Sequence, residues 1–254
     1  MRNKVVAGNW KMNNDINESI NLISAIKRDI TDSCTNVKVI ICPPFTSLDT
    51  ASTLLKNSNL FLGAQNLHFA ESGAYTGEIS AEMLKNVGCE YVIIGHSERR
   101  TLFNESDELI NKKLISALAN NLFPIFCIGE TLEQREKGIT FRVIENQIKL
   151  GLKDIDSKEI KNCIIAYEPV WAIGTGKNAT PEQAEEVHSF LRATLENLYS
   201  KSISDDIIIQ YGGSVKPENA KELMQMPNID GALVGGACLN SDSFIKIIEA
   251  ANKY

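Results

Sequence analysis

Residues 163–183 read Cys163-Ile164-Ile165-Ala166-Tyr167-Glu168-Pro169-Val170-Trp171-Ala172-Ile173-Gly174-Thr175-Gly176-Lys177-Asn178-Ala179-Thr180-Pro181-Glu182-Gln183. The apolar run 163–167 is continuous rather than alternating, the pattern of a strand buried on both faces of a parallel sheet. It stops at a carboxylate and a proline. The stretch ends in a helix start: Thr180 caps, Pro181 takes the first helical position, and Gln183 closes a capping box. Ala184, Val187, Leu191, Leu195 and Leu198 then recur at helical spacing. A strand, a long connection and a helix make one βα unit.

The same unit recurs on either side. Short apolar, β-branched runs fall at residues 4–7, 37–42, 60–64, 91–95, 124–128, 207–211 and 232–234. Their starts are about 32 residues apart, the size of a βα unit. Helical patterns fill the gaps: Asp15 and Glu18 form a capping box ahead of Ile20 and Ile23, and Ser106 precedes a helix carrying Ile110, Leu114 and Leu118. Eight such units in 254 residues permit a (β/α)8 barrel or an open doubly wound sheet. No linker rich in Gly, Pro or Ser divides the chain, which favours an α/β fold with one closed (β/α)8 barrel domain over residues 1–254.

Composition removes several classes of function. Lys plus Arg is 26 against 32 Asp plus Glu, a formal charge of −6, so a basic nucleic-acid surface is not expected. No run approaches the ~18 apolar residues of a membrane helix, and the polar start lacks the ~7–15 apolar residues of a signal peptide. Six dispersed cysteines, Cys34, Cys42, Cys89, Cys127, Cys163 and Cys238, read as buried free thiols in a reducing compartment. His68, His96 and His188 show no metal-ligand spacing. The expectation is a cytoplasmic protein with no membrane, nucleic-acid or metal partner.

In such a barrel the chemistry sits at the C-terminal ends of the strands. Those ends read Asn9-Trp10-Lys11, His96-Ser97-Glu98, Glu168-Pro169, Gly212-Gly213-Ser214 and Gly235-Gly236. A single lysine, histidine or glutamate there carries little weight. Together they offer a cation, a hydrogen-bonding imidazole and a carboxylate base, the set needed to move a proton next to a carbonyl. The two glycine turns, after strands seven and eight, supply backbone N–H groups of the kind that hold phosphate. Residues 174–179 fit G-x-G-x-x-A loosely, but the nearest helix begins only near Thr180, against a tight dinucleotide turn. The run 169–176 reads instead as a lid.

The blocks Asn9-Trp10-Lys11-Met12-Asn13, residues 91–100, residues 166–177, residues 211–215 and residues 230–236 resemble the triosephosphate isomerase family, in order and over essentially the whole chain. The resemblance implies a TIM barrel interconverting dihydroxyacetone phosphate and D-glyceraldehyde 3-phosphate through an enediolate, in glycolysis and gluconeogenesis, with no cofactor. Glu168 is then the base. His96 is implied to act as a neutral imidazole polarising the carbonyl, a known case of pKa tuning in that family. Lys11 supplies positive charge, Asn9 donates a hydrogen bond, and Glu98 orients Lys11. Backbone groups of Gly174, Ser214, Gly235 and Gly236 hold the phosphate with Asn9 and Lys11. The polar loop within 65–83 resembles the family's projecting loop and implies a homodimer. Cys238 stands where the family usually has serine. The alternatives are another phosphosugar-acting barrel enzyme and a non-catalytic surface-binding role.

Overall fold

The computed structural model describes residues 2–30, 36–173 and 178–253. Strands β1 (Lys4–Asn9), β2 (Val37–Cys42), β3 (Leu60–Ala64), β4 (Tyr91–Ile94), β5 (Phe123–Ile128), β6 (Ile164–Tyr167), β7 (Ile208–Tyr211) and β8 (Gly231–Val234) close into a barrel in sequence order. Every pairing is parallel, and β8 returns to β1 with Val5 opposite Gly231 and Gly8 opposite Val234. The closed barrel, rather than the open sheet, is the outcome.

Closure explains why the strands read as unbroken apolar runs. Successive side chains point to opposite faces, and both faces are covered. Val5, Ala7, Ile40, Tyr91, Ile93, Ile125, Ala166 and Leu233 fill the interior. Val6, Val39, Ile41, Val92, Ile94, Phe126 and Ile165 pack outward against the helices. The helix starts are as expected. Asp15 accepts from the Glu18 N–H while Glu18 reaches back to the Asp15 N–H, and Thr180 and Gln183 do the same ahead of the helix Pro181–Leu198. Ser106 caps Asp107–Ala119.

Cys42, Cys89, Cys127, Cys163 and Cys238 are buried free thiols, and Cys34 lies outside the described residues. Cys238 packs beside Gly8, where an added Cβ would come within 3.2 Å of the cysteine's own Cβ. The missing side chain at Gly8 is what lets the Cys238 side chain lie against β1.

At the N-terminal end of the barrel the helix Pro181–Leu198 turns His188 and Arg192 inward. Arg192 bonds Asp230 at 2.7 Å, and Asp230 also takes Arg2 at 2.6 Å. The His188 Nδ1 lies 3.1 Å from the Asn228 carbonyl, so Nδ1 carries the proton of a neutral ring. Burial above all, with Arg192 and Lys4 nearby, pushes the His188 pKa down to about 3 against a weaker upward pull from the Asn228 carbonyl. Between that value and the ordinary ~6.5 the unfolded chain binds the proton and the folded chain does not, so stability rises with pH through this window. This residue alone should therefore cost about 1.4 kcal/mol of stability for each pH unit lost between roughly pH 6 and 3. Urea unfolding measured against pH should show that slope, flattened in His188→Gln; an equal slope in both would exclude His188 as its source.

Candidate active site

The C-terminal ends of the strands surround a cavity of about 560 Å³. Asn9, Lys11, His96, Glu168, Ser214, Gly235 and Gly236 all line it. Glu98 stands one step back, with its carboxylate 2.6 Å from the Lys11 Nζ. Gly174 lies outside the described residues, as does the rest of 174–177. The remaining residues singled out at the strand ends are thus brought to one place.

Glu168 follows β6 directly and is 2% exposed. Its N–H bonds the Ile128 carbonyl at 2.7 Å, which continues the β5–β6 ladder by one residue. Both carboxylate oxygens are engaged. One accepts from the Ser97 backbone N–H at 3.0 Å, and the other lies 3.0 Å from the His96 Nε2. Two glycines make the space: a Cβ on Gly212 would lie 2.7 Å from the Glu168 Cγ, and one on Gly129 only 1.7 Å from its carbonyl oxygen. The neighbouring Cys127 thiol is pushed well up by burial and by the Glu168 carboxylate. A thiol held protonated in this way suits packing, not nucleophilic attack.

His96 caps the short helix Ser97–Leu102, its Nδ1 accepting from the Glu98 N–H at 3.2 Å. Nδ1 is therefore the acceptor and Nε2 carries the proton that faces Glu168. Burial pulls the imidazole pKa down. The Glu168 carboxylate, helped by Glu98 and opposed by Lys11, outweighs burial and holds it above the ordinary value. The backbone donor at Nδ1 pulls the other way, since an imidazolium would turn an N–H towards an N–H. A neutral ring is the form that this hydrogen bond fits. The upward pull belongs to the carboxylate in its present position.

The sequence reading passes over Glu130, whose role depends on contacts across the fold. It is fully buried and accepts from the Tyr167 hydroxyl at 3.0 and 3.1 Å and from the Trp171 indole N–H at 2.8 Å. Arg135 pairs with it at 3.1 Å and lies over the Trp171 ring. The stretch 169–173, the described part of the expected lid, is thereby tied to β5 through one carboxylate. The loop after β7 is fixed by Asn219, which accepts from the Lys216 N–H at 2.8 Å and donates to the Ser214 carbonyl at 2.9 Å. At the loop after β8, a Cβ on Gly235 would stand 3.6 Å from the Lys11 Cε. The bare backbone there faces the cation, as an anion site requires.

A (β/α)8 barrel with a carboxylate, an imidazole and a lysine at its mouth defines an enzyme built for proton transfer on a small anionic substrate. The Triosephosphate isomerase family model matches residues 4–251. A triosephosphate isomerase of Chloroherpeton thalassium is 52% identical over 251 residues, covering 99% of this chain and 100% of its own. Those of Alkaliphilus metalliredigens (52% over 248 residues, 98% and 99% covered) and Carboxydothermus hydrogenoformans (51% over 251, 99% and 100%) are similar to the same degree. The chain belongs to the triosephosphate isomerase family.

Proposed function

We propose that the chain interconverts dihydroxyacetone phosphate and D-glyceraldehyde 3-phosphate, as a homodimer in the cytoplasm, in glycolysis and gluconeogenesis, with residues 1–254 forming one domain. The observation that carries the reading is the Glu168 carboxylate 3.0 Å from the proton-bearing Nε2 of His96, in a cavity that Lys11 also lines. Glu168 takes the proton from C1 of the ketose. The C1–H electron pair becomes the C1–C2 double bond of the enediolate, and the carbonyl π pair moves onto O2. His96 donates Nε2–H to that oxygen and moves the proton between O2 and O1, and Glu168 returns its own proton to C2. Lys11 offsets the developing charge, Asn9 donates to the substrate, and Glu98 aims Lys11. Backbone groups at Ser214, Gly235 and Gly236, with Gly174, take the phosphate.

Glu168 must leave Ser97 and His96 to reach a carbon, because both of its oxygens are occupied. That departure removes the main upward pull on the His96 pKa while the Glu98 N–H stays on Nδ1. The base's own movement thus leaves the imidazole neutral when it is needed as an electrophile. A coupled assay starting from either triose phosphate tests the reading. Turnover in both directions is expected; a folded protein with none would overturn it and leave a non-catalytic role or another phosphosugar as the substrate.

The dimer reading is supported by where the exposed apolar side chains fall. Met12 is 95% exposed, Leu102 72% and Phe103 61%, and Phe45, Tyr75 and Met83 are also exposed. They lie in the connections after β1 to β4, which are neighbours in the barrel. Apolar groups gathered on one side of the mouth call for a cover, and a two-fold partner supplies the same side in return. Light scattering at micromolar concentration should give twice the chain mass; a monomer with full activity would sink the idea. The buried, unpaired cysteines support a reducing compartment. Among the described residues no helix is long and apolar enough to cross a membrane.

A further inference from the structure

We propose that Gln65 is a positioning residue for Lys11, holding that residue's main chain in the one conformation that sends its side chain to the reacting centre; this rests on the role given to Lys11 above. Lys11 has φ 53°, the left-handed region that a lysine rarely adopts. Such a conformation persists only where its surroundings over-determine it. Here both peptide groups that flank the Lys11 Cα are held by side chains. The Lys11 N–H donates to the Asn9 Oδ1 at 3.0 Å. The Lys11 carbonyl accepts from the Gln65 Nε2 at 2.8 Å.

Gln65 is built for this by its place in the fold. It is the residue after β3, and its amide reaches past the end of β2 to the end of β1. The same Nε2 donates to the Cys42 carbonyl at 2.9 Å, and that carbonyl also accepts from the Trp10 N–H at 3.1 Å. A primary amide has two N–H groups, and here they are shared between carbonyls at two neighbouring strand ends. The position of the lysine is thereby referred to the barrel wall rather than to its own flexible loop. At the far end of the side chain, Glu98 takes the ammonium at 2.6 Å. A four-carbon stem anchored only at its tip can adopt many paths. Fixing the Cα–Cβ direction as well leaves few. The chemistry demands a glutamine: glutamate has the same length but no donor, and asparagine is one methylene short.

The experiment is a double-mutant cycle on kcat/KM, with kcat and KM separated, using Gln65→Ala and Lys11→Ala singly and together. Gln65→Ala should lower kcat/KM by roughly 10–100-fold, as misplacement on the scale of 1 Å does. In the Lys11→Ala background the same change should have almost no further effect, because no ammonium is left to misplace. An equal loss in both backgrounds would show that Gln65 acts through general packing and would overturn the proposal, as would full activity of Gln65→Ala. Gln65→Glu replaces Gln65→Ala should the latter fail to fold, and is read in the same way. If Lys11→Ala turns over too slowly to measure, the cycle is read on the dissociation constant of 2-phosphoglycolate, a dianionic-headed two-carbon acid phosphate, with the same criteria. Parental activity in Lys11→Ala alone would instead remove Lys11 from the machinery, a failure of the underlying reading visible without Gln65.

Discussion

Glu168→Gln is expected to lower kcat by about 10³–10⁴-fold, the upper part of the ~10²–10⁴-fold range over which a positioned general base contributes, while leaving the barrel folded. The amide fills the same space between Gly129 and Gly212, and its oxygen still accepts one of the two bonds that the carboxylate accepts from Ser97 and His96. What it lacks is a site for the substrate proton. Glu168→Asp retains the base but withdraws it by one methylene, and should cost ~10²-fold. A second readout separates the base from a packing role. The Glu168 carboxylate is the largest influence holding the His96 pKa up, so in Glu168→Gln the ring should titrate at lower pH, as followed by NMR of the imidazole. Near-parental turnover of Glu168→Gln, with chemistry shown to be rate-limiting, would remove Glu168 from the base's role.

Lys11→Met removes a fixed charge from the cavity while keeping an unbranched side chain of similar reach. The loss of one preorganised electrostatic partner of a developing oxyanion is expected to cost about 10²–10³-fold in kcat. The change has a distinguishing sign in its pH dependence. Lys11 lowers the His96 pKa, and Glu98, which now neutralises the lysine at 2.6 Å, raises it. Without the lysine, both effects move the imidazole pKa upward. Activity that requires a neutral ring should therefore begin to fall at a higher pH than in the parent as the solution is acidified. A pH–rate profile with an unmoved acid limb would show that the Lys11 charge is not felt at His96.

Strand positions were legible because the barrel buries both faces of each strand. The runs at 37–42 and 60–64 coincide with β2 and β3, and the others differ from the observed strands by two residues at most. Capping boxes at Asp15 and Thr180 were legible because their chemistry is confined to four consecutive residues. The candidate site was legible at Asn9, Lys11, His96, Glu168 and the glycine turns because a parallel barrel carries every strand end to one mouth. Gln65, Glu130 and His188 were not. Gln65 meets Lys11 across 54 positions, and Trp171 meets Glu130 across 41. Nothing local in Gln65-Asn66 or Gly129-Glu130 distinguishes them from polar loop residues. Only the lateral order of the strands, which sets β1 and β3 on either side of β2 and β5 beside β6, gives those side chains their partners.

The glycines around the base have a meaning for how this sequence can change over generations. A Cβ at position 129 would overlap the Glu168 carbonyl, and one at position 212 would press on its Cγ, so relieving either overlap means shifting the proposed base, and a displacement of about 1 Å costs ~10²-fold. Neither position carries a side chain of its own, yet a Cβ added at either has to displace Glu168. Adaptive walks from this sequence must therefore go around them. Variation that reaches the base has to enter through larger neighbours able to shrink or turn, while residues 129 and 212 form fixed points of the mutational landscape, set by the absence of atoms rather than by their presence.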